Sequence, residues 1–152
     1  MLPLRSLVKY WLPVLLWMTL IFAASGDQKS VHHSSRLIGP FVHWLFPQMP
    51  PAQVAEVVFY VRKSAHFTEF AVLAGLLWYA LRKPVRHDPR PWSAAPARNA
   101  WLLATACAAS DELHQYFVPG RQAAVLDVVI DASGAATGLL LIWAFGRWRK
   151  YW

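Results

Sequence analysis

The chain is poor in charge and in cysteine, and both shortages narrow what it can be. Only 15% of its 152 residues are charged and eight are acidic, whereas 57% are hydrophobic. These proportions depart from those of soluble domains towards those of membrane proteins. The single cysteine, Cys107, excludes an internal disulfide. At this length we expect a single domain spanning residues 1–152.

The basic residues do not point to nucleic acid as a partner. The formal net charge is +7, but Lys and Arg flank the apolar runs and do not form one patch interleaved with exposed aromatics. Most of the nine tryptophans also fall near the ends of these runs, where amphipathic rings suit the headgroup region. The expected partner is therefore the lipid bilayer.

Four apolar runs predict transmembrane helices at about residues 8–24, 64–81, 99–117 and 123–145. The second run continues a helical pattern that begins near Ala52, and its first third is too polar for lipid. A shorter apolar segment, Leu37–Phe46, predicts an interfacial or re-entrant segment, and the proline-rich stretch Lys83–Ala97 predicts a linker. The predicted fold is an all-α polytopic membrane protein, a four-helix transmembrane bundle.

The first run has a rival interpretation as a cleaved signal peptide, because small residues follow its short core at Ala23, Ala24 and Ser25. If it is retained, ten of the fifteen Lys and Arg residues lie in the two termini and the second connection. Positive charge favours the cytoplasmic side. This count predicts a multi-pass protein of the cytoplasmic (inner) membrane with both termini in the cytoplasm.

The scarce acidic residues are concentrated inside the apolar runs. Five of the eight lie there, although an ionisable group in a bilayer costs several kcal/mol unless it is paired or faces water. The runs that carry them reach the same end of the predicted bundle. We call the polar residues at this end the polar cluster: Lys63, His66, Glu69, Asp111, Glu112, His114, Gln115, Arg121, Asp127 and Asp131.

Helical spacing indicates which members of the polar cluster share a face. Asp127 and Asp131 continue through Gly134 and Gly138 as one seam, and small residues four apart let helices approach closely in lipid. The seam predicts that the two carboxylates face a neighbouring helix. Asp111 is within helical reach of His114 and Gln115 in the same way.

Three interpretations of the polar cluster stay open. It can organise helix packing, with Lys63 and Arg121 as counter-charges, or hold a lipid headgroup at the outer leaflet, with Lys63, Gln115 and Arg121 as ligand-binding residues. A divalent metal is the third, although the spacing matches no recognised metal motif. A proton-coupled transporter would place its acids nearer the midplane. Candidate catalytic residues for a reaction at the site are His66, Glu69, Asp111, Glu112, His114, Asp127 and Asp131.

Three stretches of the chain resemble the motifs of VanZ-like membrane proteins. They are residues 63–70 (KSAHFTEF), residues 110–121 (SDELHQYFVPGR) and residues 127–131 (DVVID), the last followed by Gly134 and Gly138. The second stretch is the specific one, and the resemblance covers about residues 10–145. Many members carry Asn where this chain has Asp131, which implies that a second carboxylate there is not indispensable.

The resemblance implies a small bacterial integral membrane protein of the cell envelope with about four helices. The founding member of the family is associated with low-level resistance to the glycopeptide teicoplanin. We therefore expect a protein that engages a phospholipid, a lipid-linked wall precursor or a lipid-tailed antibiotic, with or without a chemical reaction. The alternative is a non-enzymatic structural protein, a partner of another membrane protein, whose polar cluster only organises helix packing.

Overall fold

The described part of the chain consists of helices and the loops that join them. The structure is a computed structural model that describes residues 4–26, 38–84, 88, 90–118 and 124–151, and these residues contain no strand. The all-α prediction is confirmed. The helices among them are α1 (Leu4–Tyr10), α2 (Leu12–Gly26), α3 (residues 38–45), α4 (Pro51–Arg82), α5 (Ala94–Tyr116) and α6 (Val125–Trp148).

Proline sets three of the helix boundaries. Pro51 begins α4, because a first-turn residue needs no partner for a backbone N–H. Pro13 has no N–H to continue the ladder of α1, so the first apolar run is broken at Trp11. Pro96 lies in the first turn of α5, which begins at Ala94. The predicted linker up to Ala97 is therefore wrong in its last four residues.

Side-chain contacts give the directions of the helices. The rings of Tyr10 and Tyr79 lie 5.3 Å apart, and the Trp17 indole N–H donates to the Glu69 carbonyl at 2.9 Å. The segment α1–α2 therefore runs antiparallel to α4. The Trp101 indole N–H donates to a carbonyl of α6, that of Ala132, at 3.0 Å. Helix α4 packs against α1, α2, α5 and α6, so it is the centre of the bundle.

Helices α4 and α6 run parallel and touch through their backbones. A Cβ atom added to Gly134 would lie 2.9 Å from the Phe67 carbonyl carbon, and one added to Gly138 would lie 2.9 Å from that of Ala71. Only glycine fits at such a distance, since real Cβ atoms do not approach backbone this closely. The predicted seam on α6 therefore faces α4, and it fixes the register between the two helices.

The outer surface of the described bundle is strongly apolar. Leu16 on α2, Leu102 on α5 and Leu141 on α6 are 62%, 51% and 65% exposed. Among the described residues one helix, α6, is long and apolar enough to cross a membrane, and α2 is apolar but shorter. Polar residues dilute the apolar stretches of α4 and α5. The four predicted spans are therefore not confirmed as a set, and they stay a prediction.

A polar network closes the end of the bundle where α4 meets α5. The buried Arg82 guanidinium donates to the carbonyl oxygens of Arg90 at 2.7 Å and Pro91 at 3.1 Å. Arg90 in turn donates to both carboxylate oxygens of Asp88, at 2.8 and 2.6 Å. These hydrogen bonds lower the pKa of Asp88 to about 2. The network satisfies the carbonyls of a connection that has no regular structure of its own.

The backbone contact between α4 and α6 predicts a steep cost for one added methyl group. We expect Gly138→Ala to lower the free energy of unfolding in detergent by about 1–3 kcal/mol, because the new Cβ forces the helices apart. Gly39→Ala is the matched control, since nothing lies within 4 Å of its Cβ position. Equal stability of the two variants in a denaturant titration would contradict the close contact.

Candidate functional site

The described members of the polar cluster come from three helices and lie at one end of the bundle. On one side, the Lys63 ammonium of α4 forms an ion pair with the Asp127 carboxylate of α6. Both side chains are half-buried, so the pair is shielded from bulk water more than a surface pair is. This contact ties the first turn of α6 to α4 at the level that the glycine seam sets.

Helix α5 contributes two buried carboxylates from its last turns. Asp111 is only 1% exposed, and its Oδ2 accepts a hydrogen bond from the Gln115 amide at 2.9 Å, one helical turn further on. The neighbouring Glu112 reaches away from α5, because its Oε2 accepts the backbone N–H of Ala124 at 2.9 Å. A negative charge at this position also suits the positive end of the α6 dipole.

Asp131 brings the acids of the three helices together. It is 2% exposed, and the carboxylates of Glu69, Asp111, Glu112 and Asp127 are all close enough for their charges to act on it. Within the described ranges, neither Asp131 Oδ1 nor Asp111 Oδ1 has a hydrogen-bond partner. Buried carboxylate oxygens are normally bonded, so each of these two atoms demands an explanation.

The two histidines of the polar cluster are placed differently. His66 faces its predicted partner on α4, with Nδ1 at 3.8 Å from Glu69 Oε2, a distance too long for a hydrogen bond. His114 is exposed and its ring lies edge-on to that of Phe22, with centroids 6.2 Å apart. The expectation that Asp111 would reach His114 is wrong, since Asp111 bonds to Gln115 instead. Arg121 lies outside the described residues.

Comparison with known proteins now identifies the family. A model of the VanZ/LLP1 family matches residues 10–146 of the chain, which includes every member of the polar cluster. The chain belongs to this family. No curated protein and no solved structure matches it. The resemblance carried by the three motifs is thereby confirmed, and the protein is a VanZ-like membrane protein.

The metal interpretation gains no geometric support in this VanZ-like protein. Among residues 4–26, 38–84, 88, 90–118 and 124–151, no three His, Cys, Asp or Glu side chains are arranged to hold an ion. Two of the carboxylates are already engaged by protein groups, Asp127 by Lys63 and Glu112 by the Ala124 N–H. The described acids therefore act as hydrogen-bond acceptors and charges.

Two contributors to the site were not predicted from the sequence. The Trp17 indole N–H donates to the Glu69 carbonyl at 2.9 Å and ties α2 to the helix that carries His66 and Glu69. The backbone N–H of Ala124 is the partner of Glu112. Neither has a signal in the sequence, because a backbone atom has no motif and a tryptophan in an apolar run suits lipid equally well.

The bond from Ala124 to Glu112 predicts a difference between two substitutions. Glu112→Gln keeps an acceptor oxygen, whereas Glu112→Ala leaves the backbone N–H without its partner, so we expect the alanine variant to lose about 1–2 kcal/mol of unfolding free energy and the glutamine variant to lose less. Glu56→Ala, at an exposed glutamate of α4, is the control for losing the side chain. Equal stability of both Glu112 variants would rule out a structural bond.

Proposed function

We propose that this VanZ-like protein is a multi-pass protein of the bacterial cytoplasmic membrane that binds a lipid headgroup or another amphiphile through its polar cluster. Both termini lie in the cytoplasm and the polar cluster faces outward. The ligand is a phospholipid, a lipid-linked precursor of the cell envelope or a lipid-tailed antibiotic. A link to teicoplanin susceptibility belongs to the last of these ligands.

The apolar surface of the bundle supports a position within the bilayer. Large hydrophobic side chains are exposed on the outer faces of α2, α5 and α6, including Leu16, Leu102 and Leu141. Soluble proteins rarely expose contiguous apolar surface on this scale, because water does not solvate it well. Lipid chains are the solvent that suits such a surface, and α6 has the length to cross them.

The orientation is supported by the distribution of basic residues. The end formed by the start of α1, the connection between α4 and α5, and the end of α6 carries most of the Lys and Arg residues. The polar cluster lies at the other end, which the positive-inside rule assigns to the outside. A ligand would therefore reach it from the outer leaflet or from beyond the membrane.

Two buried carboxylate oxygens carry the proposal for ligand binding. Asp111 Oδ1 and Asp131 Oδ1 have no hydrogen-bond partner in the described part of the chain, although both side chains are almost completely buried. A ligand with hydroxyl or ammonium donors would satisfy them. Many lipid headgroups carry such donors, and Arg121, whose placement is not described, remains our candidate for holding a phosphate.

A chemical reaction is a weaker proposal than binding. Acid–base catalysis needs a proton donor and acceptor within hydrogen-bond reach, and His66 lies 3.8 Å from Glu69. His114 is exposed beside Phe22 and not beside the buried acids. The described geometry favours a binding site over a proton relay.

The second candidate function is structural, and specific contacts favour it. The ion pair between Lys63 and Asp127 and the bond from Ala124 to Glu112 both join elements of the protein to each other. In this version the polar cluster only organises the packing of α4, α5 and α6, and the protein serves as a partner of another membrane protein. The unpartnered oxygens are what this version does not explain.

Asp111→Asn separates the two functions. The asparagine keeps an acceptor for Gln115 but removes the charge, so a bound donor group loses a charge-assisted hydrogen bond. We expect the amount of amphiphile that copurifies with the protein, measured by mass spectrometry, to fall about tenfold or more. Ser133→Ala on α6 is the control, since its hydroxyl bonds only to the Ile130 carbonyl of its own helix.

The same variant tests the alternative directly. If Asp111→Asn lowers stability in detergent but leaves the copurified lipids unchanged, the polar cluster is structural and the binding proposal is wrong. If stability is kept while one lipid species is lost, the structural version is wrong.

The topology has its own test. In a Cys107→Ala background, Val118→Cys at the end of α5 should react with a membrane-impermeant thiol reagent in intact cells. Lys83→Cys, at the opposite end of the bundle, is the control and should react only after lysis. The reverse pattern would invert the proposed orientation.

A further inference from the structure

The end of the bundle opposite the polar cluster contains an apolar groove that the proposed function does not use. It lies between the first half of α5 and the second half of α6 and has a volume of about 520 Å³, within the usual range for ligand sites. Its floor space comes from two alanines, and aromatic rings and one basic residue complete the lining. The residues concerned are Trp92, Ala97, Arg98, Trp101, Ala136 and Trp143.

The aromatic walls of this groove are held in place by the protein itself. The Trp92 ring stacks on that of Trp78, with centroids 5.5 Å apart and planes 20° from parallel. The Trp101 indole N–H is fixed by its hydrogen bond to the Ala132 carbonyl at 3.0 Å. Because neither indole needs a ligand to position it, the groove is preformed.

Arg98 gives the groove a polar end with unused hydrogen-bonding capacity. Its side chain is exposed, and its hydrogen bond among the described residues is a long one, 3.5 Å, to the amide oxygen of Asn99. The surrounding rim is basic, since it also carries Lys83, Arg147, Arg149 and Lys150. The described acid at this end, Asp88, is engaged by Arg90 and Arg82. The groove therefore favours a ligand with an apolar chain and a negative head.

We propose that the groove binds an acyl chain of an anionic glycerophospholipid, with the Arg98 guanidinium on the headgroup phosphate. A guanidinium matches the geometry of phosphate oxygens and can donate two parallel hydrogen bonds to them. The basic rim adds a preference for lipids with a net negative charge. Arg98 and Glu112 are separated by about 21 Å along α5, so this site is distinct from the polar cluster and does not depend on the ligand there.

Tryptophan quenching tests this site in the full-length protein. Purified protein in detergent is titrated with phosphatidylglycerol carrying dibrominated acyl chains, and separately with dibrominated phosphatidylcholine, because bromine quenches indoles that it touches. We expect the phosphatidylglycerol midpoint to be about fivefold lower. Arg98→Gln should abolish that difference. Arg147→Gln removes the same charge from the same end outside the groove and should preserve it.

A variant that fills the groove distinguishes insertion of the chain from attraction to the rim. Ala136→Leu should reduce quenching by both brominated lipids, because the leucine side chain occupies the space of the acyl chain. Equal loss of lipid preference in Arg98→Gln and Arg147→Gln would overturn the site and leave only a charged rim. Unchanged quenching in Ala136→Leu would also overturn it. Asp111→Asn should leave every one of these readings unchanged, whatever it does at the polar cluster.

Discussion

The direct contact between the backbones of α4 and α6 is the constraint on which the rest of the structure depends. Gly134 and Gly138 leave no side chain between the two helices, so the helices cannot slide past each other without a clash. This register places Asp127 beside Lys63 and holds Asp131 in the interior, where the acids of α4 and α5 can act on it. The glycines therefore do not merely permit packing. They determine which charges meet.

The two ends of the bundle then acquire opposite chemical characters. One end brings carboxylates from α4, α5 and α6 into the interior and leaves two of their oxygens without partners in the described structure. The other end is basic, is closed by the Arg82 network and carries the tryptophan-lined groove. A bilayer between these ends would present a different leaflet to each. We regard this asymmetry as the physical basis of a protein that meets lipids on both sides.

Much of this arrangement could be predicted from the sequence, because the decisive signals are periodic or rare. The four-residue spacing from Asp127 to Gly138 predicted a helix face directed at a neighbour, and α6 turns that face to α4. The partners of Glu112 and Asp111 could not be predicted, since helical spacing gives the residues within reach but not the rotamer that is chosen. The start of α5 was placed too late because proline ends helices more often than it begins them.

The central claim is that α4 and α6 meet in the register that pairs Lys63 with Asp127, and a charge swap tests it most directly. Lys63→Asp and Asp127→Lys should each lower the free energy of unfolding in detergent by about 2 kcal/mol, because each leaves like charges facing one another. The double variant restores opposite charges and should recover most of that loss. A double variant as unstable as the sum of the two single variants would contradict the contact and the site built upon it.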